Sequence, residues 1–247
     1  MRREVAEKYH NRQEPAMHSA TALHQFKEAA AEAAAAQVKD GMIVGLGSGT
    51  TATLAVNAMG RRVSQGLRIT GIPTSEQTAQ LARSLGIPLT TLGEQPKIDM
   101  TIDGADEVEV STLNLIKGLG GALLREKIVA SATARFVIIV DETKLVNQLG
   151  THDPVPVEVI PFGWQVTEAR LRSLGAKPKL RMKPDGEPYI TDGGHYILDC
   201  TFGLIASSAD LDIALDKTVG VVEHGLFVGM ASQVVVGGPE GVRTLGR

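Results

Sequence analysis

A single cysteine, Cys200, occurs in 247 residues. An intrachain disulfide is therefore impossible, the chain suits a reducing compartment, and the cytoplasm is the expected location. Cys200 sits in HYILDCTF, which reads as a strand with a buried thiol. Aromatic residues make up 4% of the chain, so few rings are on hand to stack against a neutral sugar. A ligand has to be recognised mainly through hydrogen bonds and charge. No apolar run approaches the ~20 residues needed to span a bilayer. The net charge of -3 gives no reason to expect nucleic acid or an anionic membrane as partner. Residues 1–16 lack an apolar signal-peptide core, and Glu4, Glu7 and Glu14 argue against an organellar transit peptide. They read as a mobile extension or a short extra helix. There is no G-x-S-x-G elbow and no internal repeat. His10, His18, His24, His152, His195 and His224 show no metal-ligand spacing. What is present is 43% hydrophobic and 21% charged, ordinary for a globular chain and enough for one large core, or a large domain with a small one.

The order of elements follows from periodicity and stop signals. Residues 19–39 form an alanine-rich helix with Leu23, Phe26, Ala30, Ala33 and Val38 on one side, ended by Asp40-Gly41. A short buried strand at 42–44 runs into a glycine loop, and a helix follows over 51–59. Strands are expected at 67–72, 87–92, 98–102 and 136–140. Helices are expected from Thr74, where Thr74-x-x-Gln77 resembles a capping box, to Leu85, and over 123–132. Nearly all-apolar strands alternating with helices mean a parallel sheet covered on both faces, whose ligands sit beyond the carboxyl ends of the strands. The clusters at 45–51, 103–106 and 141–144 each follow a strand, so all three belong to one rim. After Gly150 the texture changes. Strand-like VPVEVI, a helix over 165–174, strands at 179–182 and 195–202, a helix over 209–217 and an extended run at 219–227 suggest a small α+β domain of the split βαβ kind. Trp164 is most simply an anchor of that domain. Residues 231–236 read as a final strand rejoining the first sheet. The expected organisation is residues 17–150 with 229–247 as a large α/β domain, and 151–228 as the small one.

Two constellations on the rim carry chemistry. In Gly45-Leu46-Gly47-Ser48-Gly49-Thr50-Thr51, bare amides at a helix N-terminus can approach an anion, and three hydroxyls can donate to it. The pattern misses the third glycine of the dinucleotide fingerprint, no acid is placed for a ribose, and there is no P-loop lysine. A single phosphate monoester fits best, with a tight turn that needs glycine for shape alone as the alternative. In the second constellation Asp103, Asp106 and Glu107 crowd one turn. They could bind a divalent cation, cap the next segment or sit in water. Lys117 then supplies positive charge, and the glycines at 118–121 supply amides able to stabilise an oxyanion. Glu126 reads equally as part of a solvated Arg-Glu-Lys turn or as a general base reaching into the rim. Asp192-Gly193-Gly194 is most simply a turn.

VGLGSGTT, TIDGADEV, IKGLGGALLREK and DETK, in this order, together closely resemble type A ribose-5-phosphate isomerases from about Lys27 to the C-terminus. VPVEVIPFGW and the final GGPEGV belong to the likeness. It implies a three-layer Rossmann-like α/β domain with a smaller α+β, ferredoxin-like lid, assembled as a homodimer or homotetramer. It also implies interconversion of D-ribose 5-phosphate and D-ribulose 5-phosphate through a cis-enediolate, without metal or other cofactor. On the resemblance, Ser48, Gly49, Thr50 and Thr51 match the substrate loop, Asp103, Gly104, Ala105 and Asp106 the acidic loop, and Lys117, Gly118, Leu119 and Gly120 the lysine-glycine loop. Glu126 matches the proton acceptor, Lys144 a further substrate contact and Lys27 a lysine near the phosphate. Asp103 would move the hydroxyl proton, with Asp106 holding it. The segment from Asp106 to Lys117 is slightly longer than the likeness leads one to expect. A non-catalytic sugar-phosphate sensor, a CoA transferase and an aminosugar-phosphate deaminase are the alternatives on such a scaffold.

Overall fold

The computed structural model describes residues 18–246; the segment 1–16, read above as an extension, lies outside them. The chain opens with helix α1 (Ala20–Ala35), started by Ser19, whose hydroxyl accepts the Ala22 amide at 3.2 Å. Its buried residues are Ala30, Ala31, Ala34 and Ala35, small enough for the helix to lie close to its neighbours. Strand β1 (Ile43–Leu46), helix α2 (Gly49–Ser64), strand β2 (Thr70–Pro73), helix α3 (Glu76–Ser84) and strand β3 (Ile98–Gly104) follow. Two short strands, β4 (Glu107–Glu109) and β5 (Leu115–Ile116), come next, then helix α4 (Leu123–Ser131) and strand β6 (Thr133–Asp141). A 3-10 turn at Glu142–Lys144 leads to β7 (Leu145–Val146).

Past that point lie β8 (Val155–Val159), α5 (Trp164–Ser173), β9 (Lys177–Leu180), β10 (Tyr196–Thr201), α6 (Ser208–Asp216), β11 (Val221–His224) and β12 (Leu226–Phe227). The described chain ends with β13 (Gln233–Gly238) and β14 (Gly241–Gly246).

The large sheet runs β14-β13-β6-β3-β1-β2. All its pairs are parallel except β13 with β14. Both faces of β6 are covered. Val137 and Ile139 join one core cluster, while Phe136, Ile138 and Val140 join another. Each such side chain contributes about 1.5–3 kcal/mol on burial, and that explains the unbroken apolar run. From β1 the chain steps outward to β2, then returns to place β3 on the other side of β1. The strand order therefore reverses between β1 and β3, and their carboxyl ends open a crevice there.

A second sheet, β11-β8-β10-β9, is wholly antiparallel. With α5 and α6 it forms the β-α-β-β-α-β arrangement of the ferredoxin-like type, as the alternation after residue 150 suggested. Trp164 packs against its core, and Cys200 is a buried thiol in β10, its pKa pushed up by burial. A third sheet, β12-β5-β4-β7, joins segments from both sides of the second.

Three expectations need correction. Residues 87–92 form only one bridge, Leu89 to Gly71. Pro88 has no amide to extend a ladder, and the chain turns again by Glu94. The strand at 231–236 is not the last, because a turn at Gly241 sends β14 back antiparallel to it. The extended run at 219–227 divides between two sheets, with the Gly225 carbonyl accepting the Lys117 amide at 2.8 Å.

Candidate active site

The first side of the crevice is the glycine loop. The Gly47 amide donates to Ile102 O at 3.0 Å, and the Ser48 amide donates to Asp103 Oδ1 at 3.1 Å. The fit is so close that a Cβ on Gly47 would lie 2.2 Å from that same oxygen. Ser48 makes no side-chain cap on α2. Among the described residues the amides of Gly49, Thr50 and Thr51 have no acceptor. They leave a helix N-terminus open to an anion.

The Ser48 hydroxyl, expected to face a ligand, instead lies 2.7 Å from Thr74 Oγ1, 2.8 Å from Ser75 Oγ and 3.1 Å from Thr78 Oγ1. Thr74 and Thr78 in turn donate to the carbonyls of Leu46 and Gly47. This hydroxyl cluster braces the loop and was not apparent in the sequence. The only local signal was the supposed capping box, and it falls one residue away. Ser75, not Thr74, caps α3, and its hydroxyl accepts the Thr78 amide.

The second side is a buried charge cluster. Asp103 is 0% exposed, Lys117 2% and Glu126 4%, so Glu126 does not belong to a solvated turn. Lys117 Nζ lies 2.9 Å from Asp103 Oδ2 and 3.3 Å from Glu126 Oε2, and donates to Gly104 O at 2.6 Å. The Phe227 ring closes it from behind, with its centroid 5.5 Å from Nζ. Asp103 Oδ2 and Glu126 Oε2 meet the ammonium at ion-pair distance but without a well-directed hydrogen bond.

Asp103 also accepts the amides of Ser48 and Gly104, whereas among the described residues the attraction on Glu126 comes from Lys117. Burial, and next the charge of Asp103, push Glu126 up to about 8. Burial also raises Asp103, against the pull of Lys117. Burial alone would lower Lys117, but Asp103 and Glu126 together more than reverse it, so it stays an ammonium. With two acids sharing one cation, the better-donated Asp103 holds the negative charge. Glu126 exchanges a proton near neutral pH.

The neighbouring acids have other tasks. Asp106 accepts the Leu119 amide at 3.0 Å, so it holds the lysine-glycine loop rather than Asp103; burial raises its pKa. Glu107 is fully buried and accepts the amides of Gly150, Thr151, His152 and Asp153. Both oxygens of Glu107 are thus taken by backbone amides. Lys27 and Lys144 stand apart from the triad. Lys27 Nζ is 3.7 Å from Asp141 Oδ2, at the end of β6, and Lys144 Nζ is 3.7 Å from Asp153 Oδ2. Lys144 is still near enough to lower the Asp106 pKa.

Asp192 does more than make a turn. It accepts the Glu76 amide at the start of α3 and lies 3.5 Å from Arg125 Nη1. The groove of about 660 Å³ beside α3 is lined by Glu76, Arg83, Glu94 and Arg125 and by none of the triad. The histidines do include one acid-rich neighbourhood. His224 Nε2 lies 3.1 Å from Asp216 Oδ1, and Asp216, Glu223 and His224 group their ligand atoms within 4.8 Å.

An enclosed carboxylate that titrates near neutrality, beside a fixed ammonium and unused backbone amides, can move a proton on and off carbon while an adjacent oxygen carries charge. Comparison with known proteins points the same way. The family model for Ribose 5-phosphate isomerase A (phosphoriboisomerase A) matches residues 70–241. A Ribose-5-phosphate isomerase A of Synechococcus sp. (strain JA-3-3Ab) is 58% identical over 222 residues, 90% of this chain and 96% of the relative. Among solved structures, ribose 5-phosphate isomerase A from Methanocaldococcus jannaschii superposes with a TM-score of 0.87 at 42% identity, over 90% of this chain and 99% of that one. A D-Ribose-5-Phosphate Isomerase in complex with phospho-erythronic acid superposes with a TM-score of 0.88 at 40% identity, over 91% and 99%.

Proposed function

The chain belongs to the ribose 5-phosphate isomerase A family, and we propose that it interconverts D-ribose 5-phosphate and D-ribulose 5-phosphate, the isomerisation step of the non-oxidative pentose phosphate pathway, with Glu126 as the base. The carrying observation is the Glu126 carboxylate 3.3 Å from the Lys117 ammonium in a solvent-excluded crevice. Glu126 takes the proton from C2 of the open-chain aldose. The C–H electron pair forms the C1–C2 double bond, and the carbonyl pair moves to O1. Lys117 and the amides of Gly118 and Gly120, which have no acceptor among the described residues, stabilise that oxygen. Asp103 carries the hydroxyl proton between O2 and O1 as the second carbonyl forms, and Glu126 returns its proton to C1.

The phosphate is assigned to the N-terminus of α2, at Gly49, Thr50 and Thr51, with Lys27 supplying charge from α1 and Lys144 a contact from the third side. Its binding energy is remote from the reacting carbons and serves to position them. The lid is assigned to residues 151–228 and the catalytic unit to 17–150 with 229–247, since every strand of the antiparallel sheet falls between Val155 and His224. A homodimer or homotetramer in the cytoplasm completes the reading. It is supported by exposed Phe162 (94%) and Val219 (71%), which flank the hydrogen bond from the Ile160 amide to Gly220 O along the chain, and by the lone reduced cysteine.

The test is incubation with ribose 5-phosphate and detection of the ketose; a sensor, a CoA transferase or a deaminase would yield none. Glu126→Gln lowers kcat about 10²–10⁴-fold and raises KM far less. Near-normal turnover by that variant would remove Glu126 from the role.

A further inference from the structure

We propose that Arg181, reaching across from the antiparallel sheet, is a positioning residue for the isomerisation: it sets the loop amides that hold the enediolate oxygen. The proposal rests on the isomerase reading above. Arg181 follows β9 and is gripped by Asp199 of β10, with Nε donating to Oδ2 at 3.0 Å and Nη2 donating to Oδ1. The Tyr189 ring covers its guanidinium, whose carbon lies 5.8 Å from the ring centroid. Thus held on two sides, its Nη1 extends out of its own sheet. It donates to the Gly118 carbonyl at 3.1 Å and the Leu119 carbonyl at 3.0 Å.

The consequence lies in the geometry of the peptide plane. In a trans peptide the carbonyl and the following amide are rigidly coplanar and point opposite ways. The Gly118 carbonyl shares its plane with the Leu119 amide, which donates to Asp106 at 3.0 Å. The first plane is therefore pinned at both ends, its carbonyl by Arg181 and by the Gly121 amide at 3.0 Å, and its amide by Asp106. The Leu119 carbonyl shares its plane with the Gly120 amide, which has no acceptor among the described residues. Arg181 holds that plane by its carbonyl, so the direction of the free amide is fixed before substrate arrives. A cation on the carbonyl also makes the amide of the same plane a stronger donor. Tyr189 seals the arrangement: a Cβ at Gly121 would lie 2.3 Å from its hydroxyl. An ion pair that served only to tie β9 to β10 would be complete with Asp199 and would have no need of two carbonyls in another part of the molecule.

The experiment compares the full-length parent, Arg181→Gln, Arg181→Lys and Glu126→Gln, with phospho-erythronic acid as an inhibitor whose carboxylate imitates the charged oxygens. Arg181→Gln is expected to lose about 10²-fold in kcat, the scale of a misplaced catalytic group, with KM for ribose 5-phosphate changed by less than about threefold. Inhibition by phospho-erythronic acid weakens by the same factor as kcat/KM, because both report the oxyanion site. Arg181→Lys keeps the charge but reaches one carbonyl at most, and loses about tenfold. It is the variant that decides if Arg181→Gln melts early. Parent-like kcat in both variants, or a lost kcat with unchanged inhibition, overturns the proposal while Glu126→Gln remains dead. A parent that makes no ketose overturns the isomerase reading itself.

Discussion

At the scale of single residues, the division of labour between two acids rests on donor count. Asp103 receives two backbone amides and an ammonium, whereas Glu126 faces the ammonium alone. Burial raises both, and only Asp103 has backbone amides that work against it. Glu126 is consequently the group that changes protonation near its value of about 8. As the base it works ionised, so kcat/KM rises with pH through about 8 and falls tenfold per unit well below it. An initial-rate profile from pH 6 to 10 checks this, and a profile flat down to pH 6 contradicts it. Stability carries the opposite sign. The folded-state value lies above the ordinary 4.5, so the stabilisation from this group is complete below pH 4.5 and is lost as pH rises through about 8. Glu126 thus weakens the fold in the very range where the proposed base would be active.

At the scale of elements, short strands and turns matter more than the long helices. The segment that separates Asp106 from Lys117 is the β4–β5 hairpin, closed by a turn in which Leu113 adopts φ 59°. Glu107 at its start collects four consecutive amides of the chain entering the antiparallel sheet. It thereby fixes Asp153 and, through it, Lys144. Glu107→Gln puts an NH₂ group against two of those donors and should cost about 3 kcal/mol, read as a lower urea midpoint. KM should rise more than kcat falls, because Lys144, the proposed substrate contact, is loosened and Glu126, the proposed base, is not. An unchanged midpoint would show that the four amides are held by something else.

At the scale of the whole molecule, the site is a junction of three sheets. The large sheet contributes the glycine loop and Asp103, and the small mixed sheet brings Lys117 and Phe227. The antiparallel sheet contributes Arg181 and, through Asp192, a hold on the start of α3. Every acid near the centre is already engaged: Asp103 and Glu126 by Lys117, Asp106 by Leu119, Glu107 by four amides. The ammonium occupies the place between carboxylates where a cation would bind. Dialysis against EDTA should therefore leave kcat and KM unchanged, and activity lost to chelation and restored by a divalent ion would overturn that view. The described helices include none long and apolar enough to cross a membrane.

Much was readable from the chain alone because it is encoded by near neighbours. Apolar runs covered on both faces, glycines before a helix, and acids directly after a strand placed the parallel sheet, the glycine loop and the acidic rim. The same local reasoning overextended residues 87–92 into a strand, since one proline outweighed an apolar pattern, and it left Glu126 undecided between surface and site. Only the tertiary structure settled that, because burial is a property of what packs around a residue and not of its sequence neighbours. It alone set Lys117 between Asp103 and Glu126, moved the Ser48 hydroxyl into a cluster with Thr74, Ser75 and Thr78, and carried Arg181 to carbonyls 63 and 62 residues away. Those contacts depend on distances across the fold, which no periodicity along the chain can express.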